Sequence, residues 1–186
     1  MVQLTNRDIA DVFSAIADTM EILGEDRFRI QAYRRASEAL ADLPAPLATY
    51  RSRGKLDDIP GVGKAIADKI VELLDTGELQ YYAKLSARIP PGVRELLRIP
   101  NIGPRTAGRL YQELGVSNLA ELRAAAESGR LATIRGFGAK TVEGILQGIA
   151  TAESQERRTL LLHALETAEG LIAALRAAAP ELLQVA

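Results

Sequence analysis

A four-residue turn pattern occurs three times in this chain of 186 residues, each time directly before an amphipathic stretch with helical spacing. The turns lie at residues 60–63, 100–103 and 135–138, and their sequences are PGVG, PNIG and RGFG. Each turn follows an isoleucine, and each has an apolar third position and a glycine in the fourth. This spacing predicts three helix-hairpin-helix motifs, and the repetition favours a shared function over three unrelated corners. We call the turns hairpins 1, 2 and 3.

Backbone amides at these hairpins are the candidate binding groups. Glycine reaches positive φ without a steric clash, so the chain can reverse within a few residues. The N–H groups that follow begin a helix, where they lack intrahelical acceptors and the helix dipole adds partial positive charge. A nucleic-acid phosphate fits such a place, and backbone donors hold it without reading the bases. The predicted binding residues are Gly61, Val62, Gly63, Lys64, Gly103, Arg105, Thr106, Gly136, Gly138 and Lys140.

Two nucleotide-binding motifs that also use glycine turns are excluded at hairpin 1. A dinucleotide fingerprint needs a third glycine and a preceding strand, and neither accompanies Gly61 and Gly63. A P-loop ending at Lys64 would need glycine where Asp58 stands and serine or threonine where Ala65 stands. Binding of a polynucleotide backbone is the interpretation that this turn favours.

Charge is distributed unevenly along a chain whose formal net charge is −1. Residues 27–69 carry a net charge of +4 and residues 93–147 a net charge of +3, and these segments contain the hairpins. A local basic face favours moderate phosphate binding, although it does not make a strongly cationic clamp.

Composition excludes several kinds of site. The chain has no cysteine and one histidine, which excludes disulfides, thiolate metal sites and multi-histidine metal sites, and we predict no divalent metal site. No apolar run reaches membrane-spanning length, and the N-terminus lacks a signal-peptide pattern. We therefore expect a cytoplasmic protein that does not associate with a membrane.

Apolar spacing predicts helices along the chain and no strand before residue 181, so the predicted fold class is all-α. A capping box at Thr5 and Asp8 begins the first helix, and Pro90-Pro91-Gly92 is predicted to be a linker between two small helical domains. A long C-terminal helix is predicted from about residue 153. The other predicted helices lie near 27–42, 45–52, 55–59, 64–76, 78–87, 92–98, 104–114, 118–127, 130–134 and 139–149.

The order of these elements resembles the N-terminal part of the family X DNA polymerases, the polymerase beta group, in their bacterial form. The resemblance covers essentially the whole chain and rests on residues 28–36, 56–70, 76–79 and 96–110. It implies a small lyase-type domain over residues 1–88, a duplex-binding subdomain over 89–150, and a C-terminal helix over 151–186 that leads toward a palm. The implied partner is gapped, nicked or 5′-phosphate-bearing DNA in base-excision or gap repair, bound by a monomer.

The catalytic palm of that family is missing from the sequence. No Asp-x-Asp pair occurs in the chain, and phosphoryl transfer needs carboxylates that hold two metal ions. We therefore expect no nucleotide polymerisation by these residues. The chain is expected to be either part of a longer polymerase or a standalone two-part DNA-binding protein.

The resemblance also implies a lyase activity, because it places Lys69 at a Schiff-base nucleophile position with Tyr33 in support. It places Arg29 and Arg35 at basic positions that hold phosphate. Three departures weaken the implied phosphate pocket: the positions of two lysines and a stacking histidine are occupied by Ala65, Tyr81 and Phe28. Lys69 as a solvated lysine or a simple phosphate contact is the competing interpretation.

Two further expectations concern bound cations and the kind of partner. The resemblance implies a monovalent cation, Na⁺ or K⁺, at the carbonyls of Ile59 and Val62 and at those of Ile99 and Ile102. A module that binds another protein rather than DNA is the remaining alternative, since the net charge is close to neutral.

Overall fold

The computed structural model describes residues 4–178, and all regular structure within that range is helical. This confirms the all-α class. Short 3₁₀ turns follow α6 at Leu96–Arg98 and precede hairpin 3 at Arg130–Thr133. The α-helices are α1 (Asn6–Ile22), α2 (Arg27–Ala41), α3 (Leu47–Ser52), α4 (Lys64–Thr76), α5 (Gln80–Ser86), α6 (Pro91–Glu95), α7 (Pro104–Leu114), α8 (Leu119–Glu127) and α9 (Ala139–Ala178).

Local chemistry explains how α1 begins and ends. The predicted capping box is present: the Asp8 amide donates to Thr5 Oγ1 at 3.2 Å, and the Thr5 amide donates to Asp8 Oδ2 at 2.8 Å. The helix ends before Gly24, whose φ of +70° is a left-handed conformation that glycine adopts without a steric penalty.

One helix and one helix break that the sequence predicts are absent from the structure. Residues 55–59 form successive turns closed by bonds three residues apart, such as Ile59 N–H to Leu56 O at 3.2 Å, and not a helix. The break predicted between residues 149 and 153 is absent, because the intervening sequence contains no proline or glycine and α9 runs through it. The ambiguous tail over 180–186 lies outside the described residues.

The helices surround two hydrophobic cores. The first core lies between α1 and α2 and includes hairpin 1 and α4, with Phe13, Leu40 and Ile70 fully buried. The second core is built by α6, α7, α8 and the first turns of α9, with Leu96, Leu110 and Leu122 at its centre. Hairpins 2 and 3 both belong to the second core.

The predicted linker is a packed junction in the structure. Pro91 is the first residue of α6, where its missing N–H costs nothing. Gly92 lies so close to the carbonyl oxygen of Ser117 and to Asn118 that a Cβ atom would overlap them. The predicted linker is therefore closely packed against the turn before α8, on the side of the second core.

Candidate nucleic-acid interface

The three hairpins share one backbone hydrogen bond. The amide of the third turn residue donates to the carbonyl of the preceding isoleucine: Val62 to Ile59 at 2.9 Å, Ile102 to Ile99 at 3.0 Å and Phe137 to Ile134 at 3.0 Å. All six of these side chains are buried, whereas the first, second and fourth residues of every turn are exposed. The apolar residues anchor each turn in a core and leave its backbone at the surface.

The left-handed residue of each turn occupies the second position. Gly61, Asn101 and Gly136 have φ values of +83°, +69° and +96°. Asn101 is the only non-glycine residue with positive φ within residues 4–178. Asparagine is one of the few side chains that tolerate this region, which is why hairpin 2 keeps the turn without glycine there.

The fourth-position glycines have a different role. Gly63 and Gly103 are the N-caps of α4 and α7, with φ near −85° and ψ of 172° and 175°, an extended conformation open to any residue. A Cβ atom at Gly63, Gly103 or Gly138 would meet nothing within 4 Å. Neither backbone strain nor packing within the described residues therefore requires glycine at these places.

The helices that follow hairpins 1 and 2 begin without a side-chain cap. No side chain accepts from the first-turn amides of α4 or α7, whereas Thr5, Asp26 and Asn118 cap α1, α2 and α8 in this way. In α4 the Ile66 amide donates to the Gly63 carbonyl oxygen at 2.9 Å, and Pro104, the first residue of α7, has no N–H. The donors left for a ligand beside the positive end of each helix dipole are therefore the amides of Lys64 and Ala65 in α4 and of Arg105 and Thr106 in α7. An anionic group could approach the backbone closely there.

Cationic side chains accompany these amides. Lys64, Arg105 and Lys140 each lie within the first two residues of the helix after a hairpin, and all three are exposed. Thr106 is half-buried in the first turn of α7. The structure thus places the predicted residues of each hairpin together in one local cluster per turn.

Hairpins 2 and 3 are held against each other. Arg109, on α7, donates from Nη1 to the carbonyl oxygen of Arg135 at 2.8 Å, and the Glu113 carboxylate holds its Nε at 2.7 Å. In the other direction, a Cβ atom at Gly148 of α9 would lie 2.8 Å from Ile99 Cγ2 and 3.0 Å from Pro100 Cδ. Thus α7, which follows hairpin 2, contacts hairpin 3, and α9, which follows hairpin 3, contacts hairpin 2.

Hairpin 1 packs on α2 near the predicted phosphate residues. A Cβ atom at Gly61 would lie 3.5 Å from the backbone of Arg35, so the exposed Arg35 adjoins the turn. Arg29 is directed elsewhere, since its Nη2 donates to Tyr81 Oη at 3.1 Å and its Nη1 lies 3.6 Å from the Glu25 carboxylate. Phe28 on the same helix is 86% exposed.

The predicted lyase residues form a cluster with an aromatic centre. The Tyr33 ring stacks on Tyr81 with centroids 6.0 Å apart, and Lys69 Nζ lies 5.0 Å from the Tyr81 centroid. Lys69 Nζ also donates to the Ala65 carbonyl oxygen at 3.0 Å. Burial, followed by the neighbouring Tyr81, raises the pKa of Tyr33 above its ordinary value, so its hydroxyl stays protonated.

The structure brings Lys69, Tyr33 and Arg29 together and places Arg35 at hairpin 1. Sequence reasoning missed the central position of Tyr81, which it treated only as a lost lysine, and the bracing role of Arg109. The spacing of Arg109 to Glu113 was visible in the sequence as an i,i+4 pair, but its contact with Arg135 depends on the fold.

Within residues 4–178, no three or more acidic, histidine or cysteine side chains are arranged to hold a metal ion. None of the helices in that part of the chain has the length and apolar character needed to cross a bilayer.

Comparison with known proteins gives the following matches. A helix-hairpin-helix domain family model matches residues 4–79, and a SAM-like helix-hairpin-helix tandem model matches residues 93–151. The chain is 33% identical over 165 residues to the DNA polymerase/3′-5′ exonuclease PolX of Bacillus subtilis (strain 168). It is 29% identical over 157 residues to DNA polymerase lambda of Arabidopsis thaliana, and 28% identical over 152 residues to DNA polymerase lambda of Rattus norvegicus.

These alignments cover most of this chain and a minor part of each relative. The covered shares of this chain are 87%, 84% and 81%. The chain spans 28%, 28% and 25% of the length of the three relatives.

Proposed function

Because this chain is homologous to the N-terminal region of family X DNA polymerases, we propose that it binds DNA through the backbone amides of its hairpins, without reading sequence. The observation that carries the proposal is the open space at Gly63, Gly103 and Gly138, where neither backbone strain nor packing requires glycine. A sugar-phosphate chain that approaches the first-turn amides explains why these positions carry no side chain.

Gapped or nicked duplex is the proposed form of DNA. Hairpin 1 belongs to the first core, and hairpins 2 and 3 belong to the second, so the chain offers two separate binding regions. Two such regions suit the two duplex arms on either side of a break. Arg35 beside hairpin 1 adds a cation that suits a 5′-phosphate at the edge of the gap.

The proposed setting is base-excision or gap repair, in which this chain holds DNA as the N-terminal part of a family X polymerase. We place this activity in the cytoplasm, the compartment of the chromosome in a bacterium, and we propose that the chain binds as a monomer.

Fluorescence anisotropy with a short labelled duplex carrying a small gap tests the proposal. We expect binding that weakens with salt by about 0.9 log units in the association constant per log unit of salt for each phosphate neutralised. Unrelated sequences with the same gap should bind equally well. A flat salt response, or no binding to gapped and nicked DNA, would reject the proposal and favour the protein-partner alternative.

Monovalent cations at the turns are part of the proposal. The carbonyls of Ile59 and Ile99 each accept one hydrogen bond within their turns, and a carbonyl oxygen has a second lone pair for a cation. Together with Val62 and Ile102 they supply oxygen ligands of the kind that Na⁺ and K⁺ prefer. The ion would add positive charge beside the phosphate, so affinity should fall when K⁺ is replaced by an equal concentration of tetramethylammonium.

Removal of a 5′-deoxyribose phosphate is the second candidate function. The placement of Lys69 favours it, because its amine lies 5.0 Å from the centroid of the Tyr81 ring, and Tyr81 in turn stacks on Tyr33. The neutral Lys69 amine would attack the sugar aldehyde and lose water to form a Schiff base. Loss of a C2′ proton and cleavage of the C3′–O bond would then release the sugar phosphate from the DNA.

Borohydride trapping with incised abasic DNA tests this activity. We expect a covalent adduct with the wild-type chain and with Lys64→Ala, and none with Lys69→Ala. An adduct that persists in Lys69→Ala would show that another amine reacts, and no adduct in the wild type would leave Lys69 as a phosphate contact or a solvated side chain.

A further inference from the structure

The helix α1 belongs to both cores. Most of its buried residues, including Phe13 and Ile16, lie in the first core. Its last residue, Ile22, is 1% exposed and packs with the second core instead, the core that also contains Val93 and Leu110. One rigid helix therefore connects the core that carries hairpin 1 with the core that carries hairpins 2 and 3.

The end of α1 is seated on α7, the helix that follows hairpin 2. A Cβ atom at Gly108 would lie 2.6 Å from the carbonyl oxygen of Ile22 and 3.1 Å from its Cα atom. Gln112, one turn further along α7, donates from Nε2 to the same carbonyl oxygen at 3.0 Å. We call Ile22, Gly108 and Gln112 the seam.

An ion pair reinforces the seam from outside. Arg88, after α5, pairs with Glu25 in the loop that follows α1, with Nη1 and Oε1 2.5 Å apart. The seam contacts join α7 to backbone atoms of Ile22, whose side chain is buried, so they fix position more firmly than a surface ion pair does alone.

Resting on the proposed function, we propose that the seam fixes the spacing between hairpin 1 and hairpins 2 and 3, and that this spacing determines which gap length in duplex DNA the protein prefers. Gly108 and Gln112 are therefore positioning residues, which hold the two cores in place. They lie five and nine residues after the Gly103 cap, and they act on DNA only through the placement of the two cores.

The physical reason is effective concentration. Once hairpin 1 holds one duplex arm, the other hairpins meet the second arm at a local concentration set by the connection between the cores. Two linked sites can gain about 10²- to 10⁴-fold over either site alone when the geometry matches, and they gain nothing when it does not. A stiff connection between the cores therefore gives the highest affinity at one gap length, and a loose connection gives a smaller gain in affinity at several gap lengths.

Gly108→Ala tests the seam without changing a hairpin. The added methyl group must displace the α1 backbone, because a carbonyl oxygen at 2.6 Å cannot rotate away as a side chain end can. Gly144→Ala is the matched control, since it is a glycine-to-alanine change within α9 where a Cβ atom meets nothing within 4 Å. Gln112→Ala is a milder variant that removes only the hydrogen bond.

The measurement is affinity for a series of duplexes that differ only in having no break, a nick, or gaps of increasing length. We expect the wild type and Gly144→Ala to share one preferred gap length. In Gly108→Ala the ratio between the best and the poorest gap should fall about tenfold or more. Gln112→Ala should change it in the same direction by a smaller factor, and it decides the question if Gly108→Ala does not fold.

Energy transfer between dyes reports the spacing directly. The chain has no cysteine, so Ala48→Cys on α3 and Ala120→Cys on α8, both exposed, can be labelled specifically. The distance distribution should broaden in Gly108→Ala and stay unchanged in Gly144→Ala.

The outcomes separate this inference from the proposed function. A wild-type chain that binds no DNA refutes the proposed function. A wild type that binds DNA with no preference for gap length, or a folded Gly108→Ala that keeps the wild-type preference or the wild-type dye distance, refutes the seam while the proposed function stands.

Discussion

Replacing Gly103 by alanine should damage DNA binding while leaving the fold almost intact. The residue is an N-cap with φ −86° and ψ 175°, so alanine adopts its backbone conformation without strain. The new methyl group would project into space that the protein leaves open. In the complex that space would hold the phosphate, and the methyl group would push it away from the first-turn amides.

The expected magnitudes differ clearly between folding and binding. Alanine is a poorer N-cap than glycine, which should lower the free energy of unfolding by about 1 kcal/mol or less. A hydrogen bond to a charged group contributes about 1.5–3 kcal/mol, so its loss should raise the dissociation constant roughly tenfold to a hundredfold. The same reasoning applies to Gly63.

Gly136→Ala is the informative contrast. Its φ of +96° strains any other residue, so alanine there should lower the free energy of unfolding by about 1–2 kcal/mol, although a Cβ atom would meet nothing. The assay pairs anisotropy on a gapped duplex at fixed salt with urea unfolding of each variant. If Gly103→Ala binds as tightly as the wild type, the open space at the cap is not where phosphate lies, and the argument from the glycines is refuted.

Three further predictions follow from the same structure. Arg105→Ala should reduce the slope of log affinity against log salt by about one unit, measured by anisotropy at several salt concentrations, and an unchanged slope would place Arg105 away from phosphate. Asn101→Val should lower the free energy of unfolding by about 1–2 kcal/mol in urea, whereas Asn101→Gly should not, because valine is strained at φ +69°. Because the pKa of Tyr33 is raised above 10.0, the folded state keeps a proton that the unfolded chain loses, so stability should fall as pH rises above 10. In urea unfolding measured at several pH values above 10, Tyr33→Phe should lose less stability than the wild type. Equal losses would contradict the raised pKa of Tyr33.

The sequence was sufficient for features that depend on neighbouring residues. The capping box at Thr5, the glycine that ends α1, and the three hairpins are local patterns, and the structure has each of them where it was predicted. The family resemblance, which rested on the order of these local motifs, is confirmed by the matches to polymerase relatives. The domain boundaries stay a prediction.

Features that depend on packing between distant residues could not be predicted in this way. The linker at residues 90–92 looked open because Pro-Pro-Gly is typical of connections, but Gly92 is needed for close approach to Ser117. Gly108 lies within the helix predicted near 104–114, and its role could not be predicted because only the fold places Ile22 against it. Pattern analysis also could not show that Asn101 takes the left-handed conformation that glycine takes in the other hairpins.

Pairing among the charges explains how a chain with a net charge of −1 can present phosphate-binding surfaces. Several of its carboxylates are paired with arginines away from the hairpins, as in the pairs of Asp18 and Glu21 with Arg34, and of Asp75 with Arg51. Among the described residues, no ion pair involves Lys64, Arg105 or Lys140, the three cations that follow the hairpin glycines. Net charge averages over all charged groups, whereas a phosphate at a hairpin interacts most strongly with the cations nearest to it, because salt screens charges beyond about 10 Å. The local field at the turns, and not the composition of the chain, is therefore the quantity that decides whether DNA binds.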